Sequence, residues 1–453
     1  MNNIRNISKS PLTVLCDVFV FTVLCVFIVL FPPRLTYLSF VFGLRSAVSS
    51  DMLGGIATGF SMILLLAYFI LMMHTFPFAE KLKLLIVVLF AFFLIILPTV
   101  SDMAARKDLG IQSNGNYVSF PHDGGVLQTE AAMDFLCRGV NPYSAYYGDT
   151  AMSQSHHSNP ALWKSLGFDE NPAYRFFPYP PFVLILSLSF RALWSLFFGW
   201  YDQRIVYIAA LAVLGIVAYA LPRKKEFRLP FLAFTVLNPL YAGFFIEGMN
   251  DILCVLFLAG TVYALRKEKL RTSAVLLGLS CGLKQFAWIM VPFYLGFVYA
   301  SGPSGKAKDK FKYMLRETWP LFCTVGIIFI PFLIWDFGGL VFSLIVAQSS
   351  LYPVRACSLG VSNFLIPLGL LDSPRASFPC WPFYVFIVLP VCIYGIKKIL
   401  VQRTISAMLA WYSVTLLLFT FFSRFFSYNY LYLIVLMMVS AVVIKLDAVS
   451  RES

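Results

Sequence analysis

Uninterrupted apolar runs recur along the whole of this 453-residue chain, near 12–31, 53–73, 82–100, 203–221, 228–246, 250–265, 272–283, 286–300, 319–335, 381–399, 404–422 and 430–446. Most have the length of about 17 to 25 residues that a helix needs to cross a bilayer. Inside hydrocarbon every backbone N–H and C=O must be satisfied within the protein, which leaves only helices and closed barrels. The runs are continuous rather than alternating, so they predict helices. Only 13% of residues are charged and 59% are hydrophobic, against roughly 25% charged in soluble domains. The fold class expected is an all-α polytopic membrane protein with about twelve crossings.

The net charge of +13 has its explanation in topology. Lys and Arg gather in short clusters between apolar runs, and such clusters mark cytoplasmic loops. With the N-terminus inside, Arg5 and Lys9, Lys81 and Lys83, the run 223–228, the run 266–271, Lys306 to Arg316, Lys397, Lys398, Arg403, Lys445 and Arg451 all fall inside. This parity requires 272–300 to be two short helices and 182–200 to be an amphipathic or re-entrant segment on the outer face. Nucleic acid is excluded as a partner, because the cations form no solvated basic face. Two long segments, 101–202 and 336–380, then lie outside, where amphipathic runs predict folded caps containing juxtamembrane helices. No small-residue cleavage pattern follows the first run, so it reads as an uncleaved helix. Cys16, Cys25, Cys254, Cys281, Cys323 and Cys392 read as small core residues. Cys357 and Cys380 are either a disulfide or two thiols.

The segment 121–143, PHDGGVLQTEAAMDFLCRGVNPY, carries the most chemical information. Val126, Leu127, Ala131, Phe135 and Leu136 form an apolar stripe at helical spacing, with Gln128, Glu130 and Asp134 facing away and Gly139 ending the helix. Asp123 precedes that helix, where one role is to cap it and the other is to act as a general base. His122 adjoins it. Glu247, Asn250 and Asp251 occupy an outer turn, and ionisable groups at membrane depth are functional candidates. Lys284, Arg355 and Arg424 stand at the outer boundary, where cations suit a lipid phosphate; the alternatives are snorkelling for Lys284 and simple ion pairing for the arginines. Neither a phosphate-binding glycine loop nor a D-x-D pair is present. Metal binding is therefore unsupported, and the adjacent His156 and His157 read as solvated. One carboxylate among several cations suits sugar transfer from a lipid-phosphate donor, with an apolar bundle for the polyprenyl tail.

At these residues the chain resembles the GT-C superfamily of integral-membrane glycosyltransferases, of the glycosyltransferase family 87 type that includes polyprenyl-phosphate-mannose-dependent mannosyltransferases. More distantly it is similar to the catalytic subunit of the GPI mannosyltransferase that adds the first mannose. The ordered features are Asp123, Gly139 to Tyr143, Tyr179-Pro180-Pro181, Asn238-Pro239, Gly248 to Asp251, Gly278 to Lys284 and Tyr428-Asn429-Tyr430. The resemblance implies a GT-C fold and an inverting transfer on the outer face of a bacterial plasma membrane. It also implies Asp123 as base, with Tyr428 among the substrate-binding residues alongside His122, Glu247, Asn250 and Asp251. The donor would be a polyprenyl-phosphate sugar and the acceptor a glycan or glycolipid. Where the GPI enzyme has D-x-D, this chain has Asp123-Gly124-Gly125, which removes the second acid to which a metal would attach. Three regions are expected: an N-terminal extension over 1–81, a core over 82–335 that holds the catalytic loop, and a C-terminal region over 336–453. A lipid-linked glycan transporter is the competing reading, but no internal repeat of the kind transporters show is visible.

Overall fold

The computed structural model describes residues 10–30, 50–74, 78–109, 112–113, 116–117, 121–155, 158–351, 353–354, 358–376 and 378–449. They form a helical bundle; the one sheet is a two-residue ladder pairing Gln112–Ser113 with Asn116–Tyr117. Six helices are long and apolar enough to cross a membrane: Pro11–Leu30, Gly54–Met73, Ala79–Lys107, Ala307–Val346, Trp381–Gln402 and Tyr428–Ala448. Five shorter apolar helices accompany them, among them Arg204–Ala220, Leu270–Cys281 and Phe286–Ala300.

The run 272–300 does divide into two helices, with 282–285 between them. The segment 182–200 contains the helix Phe182–Ser195, which buries Val183, Leu184 and Ser187 on one side only. Two of the runs differ from expectation. The run 228–246 is two helices, Lys225–Val236 and Ala242–Glu247, because Pro239 cannot donate a backbone bond and Asn238 turns its side chain onto the N–H of Leu240 at 3.0 Å. The helix beginning at Ala307 runs to Val341, so Lys308, Lys310, Lys312 and Arg316 lie on helical turns rather than in a loop. It breaks at Asp336, whose Oδ1 accepts the N–H of Gly339 at 2.9 Å and starts the second half.

Two polar regions stand at opposite ends of the helix Asp251–Arg266, roughly 22 Å apart along its axis. At one end, Asp447 pairs with Arg266 at 2.8 Å and accepts the backbone N–H groups of Arg223 and Lys224 at 2.9 and 3.0 Å. Arg271 reaches Glu317 nearby at 3.3 Å. Three of the basic clusters assigned to one side by sequence therefore meet at one end of the bundle. The other end holds the candidate site.

Lys83 departs from this pattern. It is fully buried, donating to both oxygens of Asp17 at 2.7 and 2.8 Å and to Glu80 at 2.9 Å, rather than lying in an inner loop. This ion pair fastens the helix Pro11–Leu30 to the helix Ala79–Ala91, and Pro11–Leu30 packs in turn on Lys225–Val236. Helix approach elsewhere depends on small residues, as is usual where lipid offers no hydrophobic drive between helices. A Cβ on Gly278 would lie 2.8 Å from Thr324 Cβ, on the facing helix Ala307–Val341. Of the apolar-run cysteines, Cys254 and Cys281 are buried, whereas Cys323 is exposed on the bundle surface rather than in the core. Cys380 is a free thiol; Cys357 lies outside the described residues.

Candidate active site

The segment around Asp123 folds as a wide helical turn, Asp123–Gln128, that continues into Thr129–Cys137. Such π turns recur at functional positions. The capping role falls to His122 rather than Asp123: His122 Nδ1 accepts the N–H of Gly125 at 2.8 Å. A neutral imidazole that accepts at Nδ1 carries its proton on Nε2, and that nitrogen stands 3.5 Å from Asp123 Oδ1. Asp123 Oδ1 also accepts the N–H of Gly124 at 2.8 Å. Both side chains are partly shielded, with 14% of Asp123 and 17% of His122 exposed. Gly139, at φ +74°, ends the helix as expected. Gln128 does not face away: it is buried, and its amide nitrogen donates to the carbonyls of Ala173 and Phe176 at 2.8 and 2.7 Å. The helical stripe missed it because burial here is set by contact with the 173–176 backbone rather than by the helix's own apolar face.

Glycine brings the second turn against the first. Gly248 sits at φ +94°, and a Cβ on Gly125 would strike its carbonyl oxygen. Only residues without side chains allow that contact. The N–H of His122 donates to the carbonyl of Glu247 at 2.6 Å. The turn is held from its far side by Tyr241, which donates to the Met249 carbonyl at 2.7 Å, accepts from the Ile252 N–H at 3.1 Å and stacks on Tyr432 at 4.9 Å. The phrase Asn238-Pro239 and the phrase Gly248 to Asp251 thus belong to one device for presenting carboxylates.

Beneath both turns runs a charge network that sequence reading did not single out. Arg204 is fully buried, bonded through two nitrogens to Asp202 at 2.9 Å, paired with Asp102, and 3.3 Å from the carbonyl of Ile246. Arg106 links Asp202 at 2.9 Å to Glu130 at 2.6 Å. These residues lie at helix ends, where charge looks like ordinary solvated punctuation.

Glu247 is the last residue of the short helix Ala242–Glu247, outside the spanning segments. Burial raises its carboxyl to about 7, with the negative charges of Asp102 and then Asp123 adding to the effect. Three carboxylates therefore share one electrostatic neighbourhood, and one of them holds a proton near neutrality. A raised carboxyl favours the folded state fully below its unfolded value of about 4.5 and loses that contribution as pH rises through about 7. Glu247→Gln should accordingly leave thermal stability unchanged at pH 4 and raise it at pH 8. A melting curve that shifts equally at both pH values would refute this account.

A second cluster adjoins the first. Lys284 pairs with Asp251 and lies 3.4 Å from Asn250 Oδ1, while Asn429 Nδ2 donates to Asp251 Oδ2 at 2.8 Å. Three rings surround the ammonium, Tyr430 at 5.3 Å, Phe286 at 5.8 Å and Tyr179 at 5.9 Å. Tyr179 joins the two clusters: its ring faces Lys284, and its hydroxyl is 2.7 Å from where a Cβ on Gly124 would sit. Lys284 neither snorkels nor stands alone, since it is buried with its charge balanced by Asp251. Arg424 is also buried, in the 422–427 connection near Cys380, and burial lowers its pKa. The side chain of Tyr428 is half exposed, and its neighbour Asn429 enters the cluster instead. Arg355, like His156 and His157, lies outside the described residues. Among the described residues no group of three or more His, Cys, Asp or Glu side chains is arranged to hold a metal ion.

Residues 131–300 match the family described as alpha-(1->6)-mannopyranosyltransferase, N-terminal domain (MptA_B family). No curated protein matches the chain. The matched stretch contains Tyr179, Arg204, Glu247, Asn250, Asp251 and Lys284, and begins just after the turn that carries Asp123. It supports the resemblance to GT-C-type mannosyltransferases, and mannosyl transfer as the general activity.

Proposed function

We propose, from the mannosyltransferase match over 131–300, that this membrane protein transfers mannose from a polyprenyl-phosphate donor to a glycan or glycolipid acceptor, with inversion, on the outer face of a bacterial plasma membrane. The observation that carries this reading is the apposition of Asp123 and Glu247 on two turns held in glycine contact, with Tyr179 connecting them to the Lys284 cluster. In the reaction, Asp123 takes the proton of the acceptor hydroxyl. The acceptor oxygen forms its bond to the anomeric carbon as the carbon–oxygen bond to phosphate breaks, and the electron pair leaves on the phosphate oxygen. His122 is the group placed to orient the base, with Nε2 3.5 Å from Asp123 Oδ1. Arg424 and Arg355 are the cations assigned to the departing phosphate; Lys284 is less suited to that task, because Asp251 already neutralises it. The GT-C fold of about twelve crossings is part of the same proposal, with the shorter helices completing the spans. Residues 82–335 are proposed as the core, 1–81 as an extension and 336–453 as a C-terminal region.

Donor class is the direct test. Purified protein in nanodiscs should transfer labelled mannose from synthetic polyprenyl-phosphate mannose and not from a nucleotide-linked mannose. Transfer from the nucleotide sugar alone would overturn the donor assignment.

A further inference from the structure

Asn250 and Asn429 are both more than nine-tenths buried, and each uses only one end of its amide. The identity of each end is fixed by a charged partner. Asn429 must present nitrogen to the Asp251 carboxylate, which leaves Oδ1; Asn250 must present oxygen to the Lys284 ammonium, which leaves Nδ2. Among the described residues neither Asn429 Oδ1 nor Asn250 Nδ2 has a hydrogen-bond partner. Buried amide groups left in this condition call for an occupant, because desolvating them without a partner is costly.

The pair consists of one unused donor and one unused acceptor beside a neutralised ion pair. A phosphate oxygen offers only acceptors and would be repelled by Asn429 Oδ1, whereas a hydroxyl both donates and accepts. The three rings around Lys284 add flat apolar faces, and Tyr179 places them next to the Asp123 turn. We propose that Asn250 and Asn429 form a hydroxyl-recognition subsite for the sugar carried by the donor. This assignment rests on the transfer reading above, gives Asn429 a specificity role, and reassigns the Lys284 cluster from phosphate to sugar.

The experiment is a set of double-mutant cycles on the full chain in nanodiscs. Binding is measured for polyprenyl-phosphate mannose, for the four analogues that lack one hydroxyl each at C2, C3, C4 or C6, and for sugar-free polyprenyl phosphate. With the wild-type protein one deoxy analogue should bind about tenfold more weakly than the parent. In Asn429→Leu, and in Asn250→Ala, that same analogue should bind as well as the parent, while sugar-free polyprenyl phosphate binds within about twofold of wild type in both, as expected where the substituted amide contacts the sugar and no other part of the ligand. The proposal is overturned if no single deoxy position matters to the wild type, a result that requires no variant to fold. It is also overturned if the variants retain the wild-type deoxy pattern, or if they weaken sugar-free lipid equally, which would mark a buried water or a phosphate contact. Should the deoxy pattern appear while no sugar is transferred, the transfer reading fails and the subsite stands.

Discussion

Asp123→Asn should reduce mannosyl transfer by roughly 10² to 10⁴-fold, the usual contribution of a positioned general base. The amide keeps an oxygen at Oδ1, so the bond from the Gly124 N–H at 2.8 Å survives and the turn keeps its shape. The loss belongs in kcat, with donor KM little changed, because the proton is taken only as the bond to the acceptor forms. The measurement is initial-rate transfer from polyprenyl-phosphate mannose by native and variant protein at matched melting temperature. Activity within about threefold of native, far short of a general base's contribution, would remove Asp123 from the role of base and shift attention to Glu247, the neighbouring carboxyl whose pKa of about 7 suits its ionised form to that role.

The second large effect concerns stability. Arg204→Met should cost about 3 to 5 kcal/mol, as expected when one partner of a buried ion pair is removed and its carboxylates are left behind. Asp202 would keep Arg106 at 2.9 Å and the backbone N–H of residue 204, Asp102 would lose its arginine, and the Ile246 carbonyl would lose a donor beside Glu247. Because the same side chain braces the turn that follows Glu247, the damage should extend to the site: even the fraction that folds should transfer sugar poorly. Thermal unfolding monitored by size-exclusion chromatography provides the check. A second variant, Arg204→Met with Asp102→Asn, should recover part of the loss by removing one uncompensated charge. A melting temperature equal to native for Arg204→Met would show that the network is not what holds these turns.

The candidate site was partly legible in the sequence because its chemistry interrupts apolar runs. Glu247, Asn250, Asp251 and Lys284 stand out against their neighbours, and in the structure the last three meet around one ion pair. Asp123 and His122 were visible through the two glycines that follow them, of which Gly125 meets the backbone of Gly248 and Gly124 meets the Tyr179 side chain. Arg204, Asp202, Asp102 and Arg106 were not legible as a site, and Asn429 was visible only within the phrase Tyr428-Asn429-Tyr430, without a role. Each sits at the edge of a helix, where polar residues are ordinary, and nothing in their spacing states that residues 102 and 204 lie side by side. Lys83 misled for the same reason: it read as a loop cation and is instead sealed against Asp17, 66 residues away.

Local sequence determined the helical class, the clustering of basic residues at one end of the bundle and the division of 272–300, since each follows from hydropathy, charge or short-range backbone chemistry along a single stretch. Only the tertiary structure decided which polar groups face one another. That outcome depends on the close approach of Gly125 to Gly248, the reach of Tyr179 and the pairing of Arg204 across 102 residues. Such contacts are fixed by packing between distant helices, where the energy of a buried charge depends on its partner in space rather than on its neighbours in the chain.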